Sequence, residues 1–427
     1  MQSTTSNPPP KVLLVAHNPF GGAGIAAYRL FEALRSSGWP VRFLVLEGSR
    51  DGTRLWDENE SVSRGRGWSR KLGKLILFVK TARRRLVDWL FLLWQIRFLA
   101  GKNESFEILT LRNGKELVHR HPWFRWADVV HLHWTAGFLS YSQKWDRKKW
   151  VVSLHDCFPF TAVCHFPADC RGFESGCDSC PQLVGSRNPA YSKRAFLWKK
   201  KGYPADPCIV LHAPSRWIAN EASSSELLGA MSARVLPNLV PTKIFRARDM
   251  AVSRDLFDLP QNKRLALFVA GYIDNTRKGF RYFRELAESM TDSAWAFVIV
   301  GGGTLPSLPG NCKALGSLSD LRLMSALYSA SDVFVSTALQ DNAPATVIES
   351  QLCGTPVIGF AVGGLGEMIE QGRTGWLYPN VCVEGLSRGM EWFEKTPPSR
   401  DYIGRWAHSR WDEDELLAQW SDFYRGL

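Results

Sequence analysis

No stretch of these 427 residues is apolar for long enough to span a bilayer. The best candidate, LVDWLFLLWQIRFLA (86–100), is too short and is interrupted by Asp88, Gln95 and Arg97. The polar, proline-rich start MQSTTSNPPP is followed by KVLLVA, far too short for a signal-peptide core, so the sequence predicts a cytoplasmic protein. No repeat of fixed short period is visible. Acidic residues are absent from Arg64 to Arg85, where nine Lys or Arg stand. The formal charge of +12 calls for an anionic partner. No nucleic-acid motif accompanies that charge, which leaves a phosphate-bearing substrate or anionic lipid.

What is present reads as two alternating α/β halves. KVLLVAH (11–17), VRFLVLEG (41–48), ADVVHLHW (127–134) and KKWVVSLHD (148–156) are short apolar runs of buried-strand type. Between the first two lies NPFGGAGIAAYRLFEAL, with Ile25, Tyr28, Leu30, Phe31 and Leu34 at roughly helical spacing. RLALFVAG, AWAFVIVGGG, SDVFVST and TPVIGFAVGG form a second set from about residue 264. Prolines in LPNLVPTKIF (236–245) break both helix and strand and mark the joint. The predicted organisation is an N-terminal domain over 1–240, a C-terminal domain over 241–405 and a terminal amphipathic helix over 406–427 that packs back on the first domain. An insertion at about 60–105 carries the basic run. With its neighbouring Trp and Phe it fits an anionic membrane surface; a core-covering helix pair with a solvated basic face is the alternative.

Chemistry is expected outside the carboxyl ends of parallel strands. GGAG (21–24) stands at such a place, and glycines there let backbone amides approach a phosphate. His133 and His155 each end a predicted strand. The most specific block is LQDNAPATVIESQLCGTPVIGFAVGGLGEMIEQGRTGWL (339–377). In it Asp341 and Glu349 are eight apart, and Pro344 starts a helix that places Glu349 on its first or second turn. A CGTPV strand and a GG-x-x-E loop follow.

That ordered set resembles the nucleotide-sugar-binding half of retaining glycosyltransferases of family 4. The resemblance implies the GT-B fold: two Rossmann-like, doubly wound domains facing across a cleft. It covers most of the chain outside roughly 50–126. YIDNTRKGF (272–280) is similar to the family's phosphate-clamp loop. HD-x-F-P-F-T…C…DC…GC-x-x-C-P-Q-L resembles a subgroup of bacterial exopolysaccharide and colanic-acid-type enzymes. The resemblance implies that Gly21 and Gly22 approach the donor diphosphate, that His155 lies near the donor sugar, and that Lys278 neutralises the leaving diphosphate with Arg277 beside it. It further implies that Glu349 binds the ribose, that Asp341 contacts the donor sugar, and that Gly363 and Gly364 present amides to sugar and phosphate. Two positions depart from the pattern: Asp341 stands where glutamate is usual, and Tyr272 where many members have arginine. The implied activity is hexosyl transfer from a UDP- or GDP-sugar to a lipid-linked glycan or polysaccharide acceptor at the inner face of the membrane, with retention. No DxD-type pair stands ready for a catalytic divalent metal. A GT-B nucleotide-sugar epimerase and a catalytically silent nucleotide-sugar-binding scaffold are the alternatives.

Five of the nine cysteines fall in HDCFPFTAVCHFPADCRGFESGCDSCPQL (155–183). In a cytoplasmic protein such clusters bind metal more often than they pair. The C-x2-C spacing of Cys177 and Cys180, with Cys164 and Cys170, predicts a structural zinc in a loop too polar and glycine-rich to hold itself. His165 and Cys157 are substitute ligands. Free thiols, disulfides and an iron-sulfur centre are the alternatives.

Overall fold

A computed structural model describes residues 8–55, 116–140, 148–203 and 209–427, with isolated positions (90, 93, 94, 97, 98, 100, 110, 111, 114 and 145) between them. The basic run at 64–85 lies outside the described residues, as does most of 86–100. No helix among the described residues is long and apolar enough to cross a membrane.

Seven parallel strands form the first sheet: β1 (Val12–Ala16), β2 (Val41–Val45), β3 (Thr53–Leu55), β4 (Val129–His133), β5 (Lys149–Ser153), β6 (Ile209–Ala213) and β7 (Ala233–Val235). Their order is β3-β2-β1-β4-β5-β6-β7. Six more form the second: β8 (Arg264–Tyr272), β9 (Trp295–Gly302), β10 (Cys312–Ala314), β11 (Val333–Ser336), β12 (Val357–Phe360) and β13 (Gly375–Tyr378), in the order β10-β9-β8-β11-β12-β13. The apolar runs dictate this. VLLVA is buried at all five positions, as a central parallel strand covered on both faces must be. Order reverses between β1 and β4 in one sheet and between β8 and β11 in the other. These are the switch points where doubly wound sheets open a crevice.

Alternation splits each strand between two cores. Leu13 and Val15 pack on one face of the first sheet, and Ala266 and Phe268 on one face of the second. Val12 and Leu14 instead join Phe245, Leu265 and Leu267 in a single apolar cluster that continues between the sheets. The helix Glu413–Arg425 completes that cluster from the first domain's side: Trp420 lies 4.5 Å from the His212 ring, and the Tyr424 hydroxyl is 2.7 Å from His131 Nδ1.

Candidate functional site

The loop after β8 builds the first cluster. The Asn275 side chain accepts from the Arg277 amide at 3.0 Å and starts the tight turn Thr276–Lys278. Gly279, at φ +66°, ends the turn against the Thr337 carbonyl, an approach that leaves no room for a Cβ. Lys278 Nζ then meets Asp341 Oδ2 at 2.6 Å, and Arg277 Nη1 lies 3.4 Å from the same oxygen. Arg277 also donates to the Gln340 carbonyl at 2.9 Å, and its guanidinium sits 4.1 Å over the ring of Phe166 from the other domain. Burial would raise the Asp341 carboxyl, but Lys278 and Arg277 outweigh it and hold it below the usual range. Two cations face one carboxylate, so the cluster keeps a net positive charge suited to an anion. Tyr272 is 69% exposed, and its carbonyl accepts from the Asn275 amide at 3.4 Å.

Across the boundary, His155 follows β5. Its Nε2 is 2.9 Å from His133 Nδ1, and burial lowers its ring to about 4, leaving it neutral at pH 7. Behind it runs a buried chain whose proton order follows from its end. His212 Nε2 faces the Leu236 carbonyl at 2.8 Å, so it donates, and His212 Nδ1 accepts from Ser153 at 2.6 Å. Ser153 therefore accepts from His131 Nε2 at 2.7 Å, and His131 Nδ1 accepts from Tyr424. Burial depresses both His131 and His212, which keeps the chain uncharged.

Three contacts close the domains around these groups. Asn342 Nδ2 donates to the Leu154 and His155 carbonyls at 2.8 and 3.2 Å, while its Oδ1 accepts from Ser215 at 2.5 Å. The Glu367 carboxylate accepts from the amides of Arg216 and Trp217 at 2.9 and 2.5 Å, so an acid of one domain caps a helix (Arg216–Ser223) of the other. Glu349 sits on the second turn of the helix Ala345–Leu352, paired at 2.6 Å with Arg29 of α1 (Gly21–Ser36). None of Asn342, Ser215, Glu367 or Arg29 stood out in the sequence. Two signals were at hand: Asn342 follows Asp341 directly, and Glu367 is the last letter of the GG-x-x-E loop.

The glycines divide. Gly21, at φ +67°, and Gly22 open α1 with free space where a Cβ would be, and the helix start has no side-chain cap. Gly363 and Gly364 instead press on the Asp341 and Asn342 carbonyls, so their small size serves the packing of that turn.

The cysteine loop corrects the zinc expectation. Among the described residues no group of three His, Cys, Asp or Glu side chains stands where it could hold one metal ion. Cys164, Cys170, Cys177 and Cys180 are free and line one small pocket with Phe173, without forming a ligand set. The loop holds itself by other means. Phe160, Ala162, Val163, Phe173 and Leu183 give it an apolar core. Asp156 accepts from the Phe158 amide at 2.9 Å and Trp134 Nε1 at 2.7 Å and pairs with His165 at 2.6 Å. The buried Lys199 donates to the Phe158 and Thr161 carbonyls at 2.5 and 2.9 Å. His165 is thus engaged, and burial pushes the Cys164 and Cys177 thiols up to about 12.

Residues 263–393 match the family model described as glycosyl transferases group 1. The chain is 26% identical over 328 residues to a D-inositol 3-phosphate glycosyltransferase of Streptosporangium roseum, covering 70% of this chain and 69% of that one. It is 25% identical over 297 residues to the putative colanic acid biosynthesis glycosyl transferase WcaC of Escherichia coli K12, covering 66% and 69%. The structure of HepE from Anabaena in complex with UDP and glucose superposes with a TM-score of 0.58 at 14% identity, over 98% of this chain and all of that one. The two parallel sheets are the GT-B fold of the glycosyltransferase structures the chain superposes on, and within the second of them residues 263–393 are similar to the group 1 glycosyl transferases.

Proposed function

We propose that this GT-B glycosyltransferase moves a hexose from a UDP- or GDP-sugar to a lipid-linked glycan or polysaccharide acceptor, with retention and without a catalytic divalent metal, in surface-polysaccharide synthesis at the inner membrane face. The observation that carries the reading is the cationic Lys278–Arg277–Asp341 cluster meeting the His155 strand end at the domain boundary. Glycosyl transfer develops negative charge on the departing diphosphate, and preorganised cations in a partly dry cleft stabilise it. Lys278 and Arg277 supply that charge, and the uncapped start of α1 offers amides and positive potential beside Gly21 and Gly22. When Lys278 turns to phosphate, Asp341 is released to accept from hydroxyls of the donor sugar. His155, neutral at pH 7, offers hydrogen bonds without a competing charge. Closure through Asn342 and Glu367 keeps water from the donor.

The WcaC relative supports the polysaccharide context, and HepE, solved with UDP and glucose, supports a nucleotide-sugar donor. A membrane-surface position draws on the basic run at 64–85 and on exposed Leu90, Leu93 and Trp94 beside it. The test is nucleotide release by the purified full chain with UDP- and GDP-sugars and a lipid-linked glycan fraction, with the product's anomeric configuration read by NMR. Acceptor-dependent release with retention is expected. Epimerisation of the donor without acceptor, or binding without turnover, overturns the proposal.

A further inference from the structure

Gly22, Ile25, Ala26 and Arg29 recur at the three- and four-residue spacing of a single face of α1. At the end of that stripe Arg29 Nη2 reaches Glu349 Oε1 at 2.6 Å, and the two side chains are only 10% and 9% exposed. The other Glu349 oxygen accepts from the Tyr328 hydroxyl at 3.2 Å. The rest of the guanidinium is idle. Arg29 Nε and Nη1 are buried with no hydrogen-bond partner among the described residues, and the Phe245 ring 5.8 Å away offers only a π face. Buried donors on a charged group are costly to leave unmade. The ion pair with Glu349 engages Arg29 through Nη2 and leaves these donors over.

We propose that Arg29 and Glu349 form a two-domain clamp for the vicinal diol of the donor's ribose, Arg29 being the half that comes from the acceptor domain. The inference rests on the nucleotide-sugar reading above. Each hydroxyl both donates and accepts. Its O–H donates to the Glu349 carboxylate, and its lone pair accepts from Arg29 Nε or Nη1, which satisfies the idle donors. A carboxylate alone fixes only the donating side. Because the halves belong to different domains, the diol bridges them and favours the closed state in which Lys278, Asp341 and His155 meet. The planar fork matters: lysine would keep the charge but not two donors at fixed spacing.

The test is calorimetric binding of UDP and GDP, and of their 2′-deoxy and 3′-deoxy forms, to the full chain and to Arg29→Lys and Arg29→Met. Wild type should prefer the ribose form of its nucleotide by roughly 10- to 100-fold, the range of a hydrogen bond to a charged group. Both variants should bind that form about tenfold or more weakly and the deoxy forms unchanged, so that the preference collapses. Arg29→Lys keeps the ion pair, and its melting curve confirms folding; Glu349→Gln gives an independent second arm with the same expected collapse. A preference that survives in Arg29→Lys and Arg29→Met overturns the clamp while leaving the donor reading standing. Tighter nucleotide binding by the variants also overturns it, because Arg29 would then be a plug. A wild type that binds neither UDP nor GDP removes the donor reading, and the clamp with it.

Discussion

Replacing Lys278 by alanine removes the nearer of two cations from a carboxylate that is 14% exposed. Breaking a fully buried pair costs about 3–5 kcal/mol. Arg277 stays at 3.4 Å from the same oxygen, so the folding cost should be smaller, about 1–2 kcal/mol. Catalysis should suffer more. A preorganised charge aimed at a leaving oxyanion is worth about 10²–10³ in kcat, so Lys278→Ala should lose that factor with KM for the donor rising far less. Lys278→Arg keeps a charge of different reach and should fall between. The assay is steady-state nucleotide release at saturating acceptor. A Lys278→Ala enzyme within about fivefold of wild type would refute the assignment of the leaving-group charge to this lysine.

The same variant carries a signature in acid. Asp341 is depressed in the folded state, so its contribution is present above the unfolded value of about 3.9 and is lost as pH falls through the lower folded value. Without Lys278 that depression shrinks. The stability difference between wild type and Lys278→Ala should therefore narrow on acidification below about pH 4 in urea titrations.

Tyr424→Phe removes the hydroxyl that donates to His131 Nδ1 and leaves a buried acceptor unmade; a loss of about 1–3 kcal/mol should appear as a lowered Tm in calorimetry. Lys199 is lowered to about 7 by burial, so the unfolded chain holds the extra proton between about pH 7 and 10.4 and this residue makes stability rise with pH there. The stability of wild type minus that of Lys199→Met should rise across that window; a flat difference would mean that the lysine stays charged. Exhaustive chelation should leave the melting curve unchanged, with elemental analysis finding under about half an equivalent of zinc, because the cysteine loop is held by Phe160, Phe173, Asp156 and Lys199.

What the sequence made legible was local. Apolar runs with glycine, histidine or acid at their ends give β1, β2, β4, β5, β8, β9, β11 and β12, and since parallel strands present ligands at those ends, Gly21 and His155 could be read as site candidates before any geometry, whereas Lys278 and Asp341 rested on the resemblance to family 4 glycosyltransferases. The strand Ile209–Ala213 was not read, nor were the short edge strands Thr53–Leu55, Ala233–Val235, Cys312–Ala314 and Gly375–Tyr378, whose few residues carry little periodicity. Cysteine spacing misled for a related reason. Spacing along a chain says which thiols are able to meet, but not whether the loop between them already has a core, and Phe160 and Phe173 provide one. The pairs that assemble the site are the least local of all. Arg29 and Glu349 are 320 residues apart, and Asn342 and Leu154 are 188 apart. Each lies on an element whose own sequence is satisfied without the other. Only packing of the two sheets through Phe245 and Trp420 brings them together, so the closed site is a property of that shared core and not of any motif in it.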